Sequence, residues 1–280
     1  MAEAYQVNRE QAVLWNDTAG RAWVEMQRVL DDMFTPFEKL LIERAVHDGT
    51  RGVLDIGCGS GVTTLAAARR VGPTGKCMGL DISATLLELA RQRATRAGLG
   101  NVTFVEADAQ TYAFEPNSFD AVISRFGVMF FDAPEAAFAN IRRATRSDSK
   151  LACVVWRSPA ENPFMTTAAR AAAPLLSLKA PDPNAPGQFA FADADKVRRI
   201  LQASGWKNIE IQSIDVPMQV AEADLLVYVT KLGPVGLALK DADAQTRDRV
   251  TIAVHAAFKP FIQDGVARFN AACWLVMAGS

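Results

Sequence analysis

The apolar positions of the chain change period near residue 51. Over residues 9–47 the side chains Trp15, Trp23, Met26, Met33, Phe34, Phe37, Leu40 and Leu41 recur at helical spacing, which predicts a helical segment. From Arg51 onward, short apolar runs alternate with helix-like stretches. Strands are expected at 52–56, 75–80, 102–106, 121–124 and 151–156, and helices near 62–70, 84–97 and 134–145. That alternation predicts a parallel sheet with helices on both faces. The rhythm breaks at Ser158, where residues 158–192 hold Pro159, Pro163, Pro174, Pro181, Pro183 and Pro186 and read as a helix followed by a loop. A helix at 193–203, a turn at Ser204-Gly205, a strand at 208–220, helical segments over 222–262 and a last strand at 266–278 complete the pattern.

Composition narrows the class without naming a chemistry. The chain has 280 residues, a formal charge of −1, 50% hydrophobic and 22% charged residues, as expected of a globular chain with one sizeable core. A charge so near zero, with no Lys/Arg-rich run, gives no electrostatic reason to expect a nucleic-acid partner. Cys58, Cys77, Cys153 and Cys273 are far apart and form no CxxC pair, so neither a disulfide framework nor a zinc site is expected, and a reducing cytoplasm is the expected location. The polar start MAEAYQVNREQ does not read as a signal peptide. No apolar run approaches the roughly 20 residues that cross a bilayer, so no membrane partner is expected.

The sharpest local signal is VLDIGCGSGVTTLAAARR at 53–70: an apolar run carrying an acid, then Gly57, Gly59 and Gly61, then an alanine-rich helix. Glycines between a strand and a helix let a ligand approach the backbone. The dinucleotide pattern GxGxxG needs a third glycine where this chain has Val62, and no GK[ST] follows to make a phosphate loop of the Walker type. Asp55 would repel a pyrophosphate in the same crevice and suits a ligand with an ammonium group and no phosphate. S-adenosylmethionine meets that description, and a nicotinamide dehydrogenase is disfavoured by Asp55 and Val62 together.

VLDIGCGSG resembles the glycine-rich motif of the class I S-adenosylmethionine-dependent methyltransferases. GKCMGLDIS, VTFVEADAQ and FDAVISRFGVMFF resemble that family's next three motifs and follow in its order. The resemblance implies that Asp81 holds the ribose hydroxyls, that Ile82 packs on the adenine, and that Asp108 and Ala109 flank it. With Asp55, Gly57, Gly59, Gly61 and Ser124 at the end of the fourth strand, these are the expected cofactor-binding residues. It implies a Rossmann-like α/β fold, a seven-stranded sheet that is mostly parallel with its last strand antiparallel, helices on both faces, and a helical cap. Residues 1–50 then form an N-terminal cap segment, and 51–280 the methyltransferase domain, with cap insertions near 158–192 and 222–262. WNDTAGRAW and SRFGVMFF are similar to a bacterial branch near the ubiquinone- and menaquinone-type enzymes.

The expected activity is in-line methyl transfer to a small, largely apolar acceptor through proximity and orientation. Carbon methylation of a quinone precursor, and a non-catalytic module that only binds S-adenosylmethionine, are the alternatives. Phe126 and Met129 fall where an acceptor would arrive. Arg125 either pairs with an acid or lines the cofactor carboxylate or the acceptor. Trp15 and Trp23 are anchors of the N-terminal helices or cofactor contacts, and Asn162 and Phe164 are turn or lid residues. His255, in an apolar helical stretch, is the one candidate general base, with a structural role as its alternative, whereas His47 is expected in solvent. No carboxylate cluster for a metal is visible.

Overall fold

The structure is a computed structural model that describes residues 8–178, 182 and 185–280. The first seven residues of the expected 1–50 segment, and residues 179–181 and 183–184 of the expected 158–192 insertion, lie outside the described residues.

The N-terminal segment folds as α1 (Arg9–Asn16), α2 (Thr18–Glu25) and α3 (Gln27–Ala45). On α3 the side chains of Leu30, Met33, Phe34, Phe37 and Leu41 are buried. Their spacing puts them on one face of the helix. The alternating region then runs β1 (Gly52–Ile56), α4 (Val62–Val71), β2 (Lys76–Asp81), α5 (Ala84–Arg96), β3 (Val102–Glu106), β4 (Phe119–Arg125), α6 (Pro134–Ala144) and β5 (Thr145–Trp156). All five residues of β1 are buried, as a central parallel strand covered on both faces requires. After α7 (Pro163–Ala172) and α8 (Ala194–Ala203) come β6 (Lys207–Ala221), α9 (Glu222–Lys231), α10 (Gly233–Leu239), α11 (Ala244–Phe258), β7 (Ile262–Gln263) and β8 (Val266–Gly279).

The strands form one sheet in the order β3-β2-β1-β4-β5-β8-β6, with β7 paired to β8. β1 to β5 are mutually parallel, and β8 is antiparallel to both β5 and β6. One detail corrects the sequence expectation. The sheet has an eighth strand, because the end of the stretch expected to be helical to 262 turns into the short β7. Asp264 and Gly265, both at positive φ (53° and 71°), make the two-residue turn that folds β7 onto β8. The last strand, antiparallel as expected, lies between β5 and β6.

This topology decides where a ligand can sit. From β1 the chain steps outward to β2 and β3, then returns to β4 and steps the other way to β5. The right-handed crossovers of parallel strands therefore put α4 and α5 on one face and α6 on the other. The connections diverge at the C-terminal ends of β1 and β4 and leave a crevice there. A Cβ added to Gly57 would stand 2.6 Å from Gly127 Cα, so the two loops that leave these strands touch backbone to backbone.

Candidate active site

A cavity enclosing about 1130 Å³ of space, part of it open to solvent, lies over this crevice. Its floor is the turn after β1 (Gly57, Cys58, Gly59 and Ser60), and one end is formed by Asp81, Ile82, Asp108 and Ala109. Apolar walls come from Phe34, Phe126, Met129 and Trp156, and from the excursions through Trp15, Trp23, Met165 and Tyr228. Among the expected residues, Gly57, Gly59, Asp81, Ile82, Asp108, Ala109, Phe126 and Met129 thus line one cavity.

Gly59 has φ +53°, and an added Cβ would find only Leu86 Cδ1 at 4.0 Å. The space above it is the cavity itself. Asp81 is buried; its Oδ2 accepts from Gly59 N at 2.7 Å and its Oδ1 from Ser83 N at 2.9 Å. A carboxylate offers about four lone-pair positions, more than its backbone donors use. Burial pushes the Asp81 carboxyl up, and the backbone bonds from Ser83, Gly59 and Ile82 oppose this. Ser83 caps α5 by accepting from Leu86 N, which leaves Asp81 free of that task. Asp108 Oδ2 accepts from Gln110 Nε2 at 2.9 Å, while Gln110 Oε1 accepts from Ala133 N. Through Gln110 the end of β3 is tied to the start of α6.

Four expected site residues do not line the cavity. Asp55 lies beneath it, 1% exposed, and its Oδ2 accepts from Thr63 Oγ1 and Thr64 Oγ1 at 2.5 and 2.6 Å, which fixes the start of α4. Gly61 serves packing: a Cβ there would meet Ala90 Cβ and Phe104 Cζ, each at 2.9 Å. Ser124 is fully buried, donating to Ile56 O at 2.8 Å and accepting from Gly127 N at 3.2 Å, so it clips the ends of β1 and β4 together. His255 lies away from the cavity, its Nε2 2.7 Å from Glu222 Oε1. It pairs α11 with the first turn of α9, and the general-base reading of His255 is withdrawn.

Desolvation raises the Asp55 carboxyl from 3.8 to about 6. The folded chain therefore holds this proton more readily than the unfolded chain does. That contribution is fully present below about pH 4 and is lost as pH rises through 6, a change of roughly 3 kcal/mol. Asp55→Asn cannot ionise and keeps an acceptor for the threonines. Urea titrations from pH 4 to 7 should show the variant gaining stability relative to the parent as pH rises. Parallel curves would refute a buried, titrating Asp55.

Several residues of the site were not separable by sequence reading. Asn16 Nδ2 donates to Ile82 O (3.0 Å) and its Oδ1 accepts from Ala84 N (2.8 Å), so α1 is clamped to the loop after β2. Ser83 Oγ adds a bond to Trp15 O at 2.7 Å. Gly20 lets α2 cross this point, where a Cβ would fall 1.9 Å from Trp15 O. The stretch WNDTAGRAW is thereby explained as a docking device that carries Trp15 and Trp23 to the cavity. Asn162, left open between turn and lid, is buried and bonds Ala272 through both N–H and C=O of that residue (3.0 Å each). It anchors α7 to β8. Phe164 stacks on Tyr228 at 4.9 Å, coupling α7 to α9 beside the cavity. Leu86, Phe130, Phe131 and Gln188 also line it; Phe130 and Phe131 close the motif SRFGVMFF, whereas no motif marked Leu86 or Gln188.

Among the described residues no group of His, Cys, Asp and Glu has the makings of a metal site, and no helix is long and apolar enough to cross a membrane.

Residues 53–148 match a family model described as a methyltransferase domain. The aklanonic acid methyltransferase DauC of Streptomyces sp. is 38% identical over 113 residues, 40% of this chain and 50% of the relative. The chain thus spans about half the length of that protein. A demethylmenaquinone methyltransferase of Staphylococcus aureus is 27% identical over 185 residues, 63% of this chain and 76% of the relative. Among solved structures, the YcgJ protein of Bacillus subtilis superposes with a TM-score of 0.60 at 20% identity, covering 88% of this chain and 98% of the other; it shares the fold.

Proposed function

We propose that this chain, whose core is a class I S-adenosylmethionine-dependent methyltransferase domain, methylates a small, flat, largely apolar acceptor of quinone type. The observation that carries the reading is the open space above Gly59, with a buried carboxylate at one end and aromatic walls at the other.

The residues present suit the cofactor. Asp81 retains acceptor positions for a pair of ribose hydroxyls, Ile82 and Ala109 offer apolar surface for an adenine, and Asp108 stands beside them. The glycines admit the amino-acid portion against the backbone. S-adenosylmethionine, when bound, supplies an activated methyl carbon on a sulfonium. The chain itself contributes alignment and exclusion of water. Trp15 and Trp23, brought over the cavity by the Asn16 clamp, form one wall; Phe126 and Trp156, stacked at 4.3 Å with their planes 4° apart, form another. Walls of this kind favour a planar acceptor. The relatives named for aklanonic acid and demethylmenaquinone point the same way.

Among the described residues that line the cavity, none is placed as a general base. Asp81 and Asp108 lie at the nucleoside end, and burial pushes both the Cys58 thiol and the Tyr228 phenol up. The acceptor must then lose its proton to solvent, which favours a phenolic or enolic group over an alcohol.

Calorimetric titration with S-adenosylmethionine, and with NAD as control, tests the cofactor; binding to the first alone is expected. Release of S-adenosylhomocysteine on addition of a reduced naphthoquinone then separates an enzyme from a binding module. Binding of NAD and not of S-adenosylmethionine would overturn the reading.

A further inference from the structure

Tyr228 lines the cavity from α9, and the helix that carries it is held at several points. Leu225 and Val229 are buried, His255 pairs with Glu222 in the first turn, and Lys231 in the last turn bonds Glu25 of α2. The phenol ring lies on Phe164, centroids 4.9 Å and planes 29° apart, and Phe164 packs in turn on Phe269 of β8. The ring is thus fixed, yet no described residue uses its hydroxyl. Burial alone pushes the phenol's ionisation up, with no hydrogen bond or charge opposing it, so the group stays a protonated donor. A tyrosine hydroxyl in such surroundings usually has a partner. Gln188 repeats the pattern from another excursion. Its loop docks on the segment after β4, where Gly187 N donates to Met129 O at 3.1 Å. The Gln188 amide makes no hydrogen bond to another described residue.

Tyr228, Gln188 and Met165 line the main cavity and also a smaller one between α7, α9 and the start of α10, enclosing about 390 Å³. They therefore stand where the two spaces adjoin. Apart from the hydroxyl and the amide, the described lining of the smaller space is apolar side chains and Gly233. Resting on the acceptor reading above, we infer that Tyr228 and Gln188 hold a ring oxygen of the acceptor at this junction, with the phenol as donor. Aromatic walls grip a flat ring without fixing its rotation in its own plane. A hydrogen bond to one ring oxygen fixes that rotation and so decides which atom is presented to the methyl group. The acceptor becomes reactive by losing a proton, and a donor binds an oxygen more strongly once it is charged. Tyr228 and Gln188 are then the residues that set the acceptor's orientation.

The test uses two flat probes that differ by one oxygen, 1-naphthol and naphthalene, each titrated into the full chain saturated with S-adenosylhomocysteine. Tyr228→Phe keeps a ring to stack on Phe164 and removes only the hydroxyl. It should weaken 1-naphthol by roughly 3- to 10-fold, as for the loss of one hydrogen bond, and leave naphthalene unchanged. Gln188→Leu should act in the same direction on the same probe. Unchanged affinity for S-adenosylhomocysteine reports that each variant is folded and that neither residue touches the cofactor. An equal loss for both probes, or no loss of 1-naphthol, would overturn the assignment of the residue so changed and leave the function standing. A parent protein that binds S-adenosylhomocysteine and neither probe would overturn the flat-acceptor reading together with this inference. Failure to bind S-adenosylhomocysteine would overturn the cofactor reading as well.

Discussion

Gly59→Val is expected to abolish binding of S-adenosylmethionine while leaving a folded protein. The glycine's φ of +53° lies in the left-handed region, where a residue with a Cβ costs about 1–2 kcal/mol and a β-branched one more. The added atoms meet no backbone; the only neighbour within 4 Å of the first of them is the tip of Leu86. They project into the space the ligand needs, so affinity should fall by roughly 100-fold or more. Gly61→Val is the contrasting variant. Its Cβ would press on Ala90 and Phe104 at 2.9 Å, a clash inside the packing of α4 against α5 and β3. Overpacking of that kind costs about 1–3 kcal/mol of stability without filling the cavity. Calorimetry and thermal melts on the two variants should therefore separate: one keeps its fold and loses the ligand, the other loses stability first. If Gly59→Val binds normally, the space above the glycine turn is not the ligand's.

Those two glycines also show how far the sequence could be read. Both belong to one turn, and the spacing of Gly57, Gly59 and Gly61 between an apolar run and a helix marks a backbone approached by something. What approaches Gly61 is Phe104, more than forty positions along the chain, and no local pattern announces that contact. The same holds for Asp55. Its place on the central strand is legible, yet whether its oxygens meet a ligand or a hydroxyl depends on Thr63 and Thr64, which are ordinary helix residues in the one-dimensional text. The sheet was legible because its central strands are buried and apolar and its helices amphipathic. The short β7 was not, since two residues carry no period. The N-terminal clamp escaped for another reason: Asn16 acts through Ile82 O and Ala84 N, backbone groups that every residue possesses. Arg125 could be noticed as a charge beside an apolar run, but its buried Nη1, with no hydrogen-bond partner among the described residues, is a property of the folded chain alone.

Asp81→Ala is expected to weaken S-adenosylmethionine by about 1–3 kcal/mol, a factor of roughly 5 to 150, as for the loss of a charged hydrogen-bond partner. Two mechanisms contribute, and they can be told apart. Removing the carboxylate deprives Gly59 N and Ser83 N of their acceptor, which loosens the turn, and it removes the free lone pairs proposed for the ribose. Asp81→Asn keeps the size and one carbonyl oxygen, so it should retain the turn better than alanine does. A 2′-deoxy analogue of S-adenosylhomocysteine supplies the other side of a double-mutant cycle. If the carboxylate holds the ribose directly, the variant and the analogue will not add, because each removes the same contact. Full additivity would mean that Asp81 acts only on the turn. The position of Asp81 at the nucleoside end makes a further distinction. Its loss should weaken S-adenosylhomocysteine and 5′-methylthioadenosine alike, since both carry the ribose. A loss confined to S-adenosylhomocysteine would mean that Asp81 does not act at the ribose.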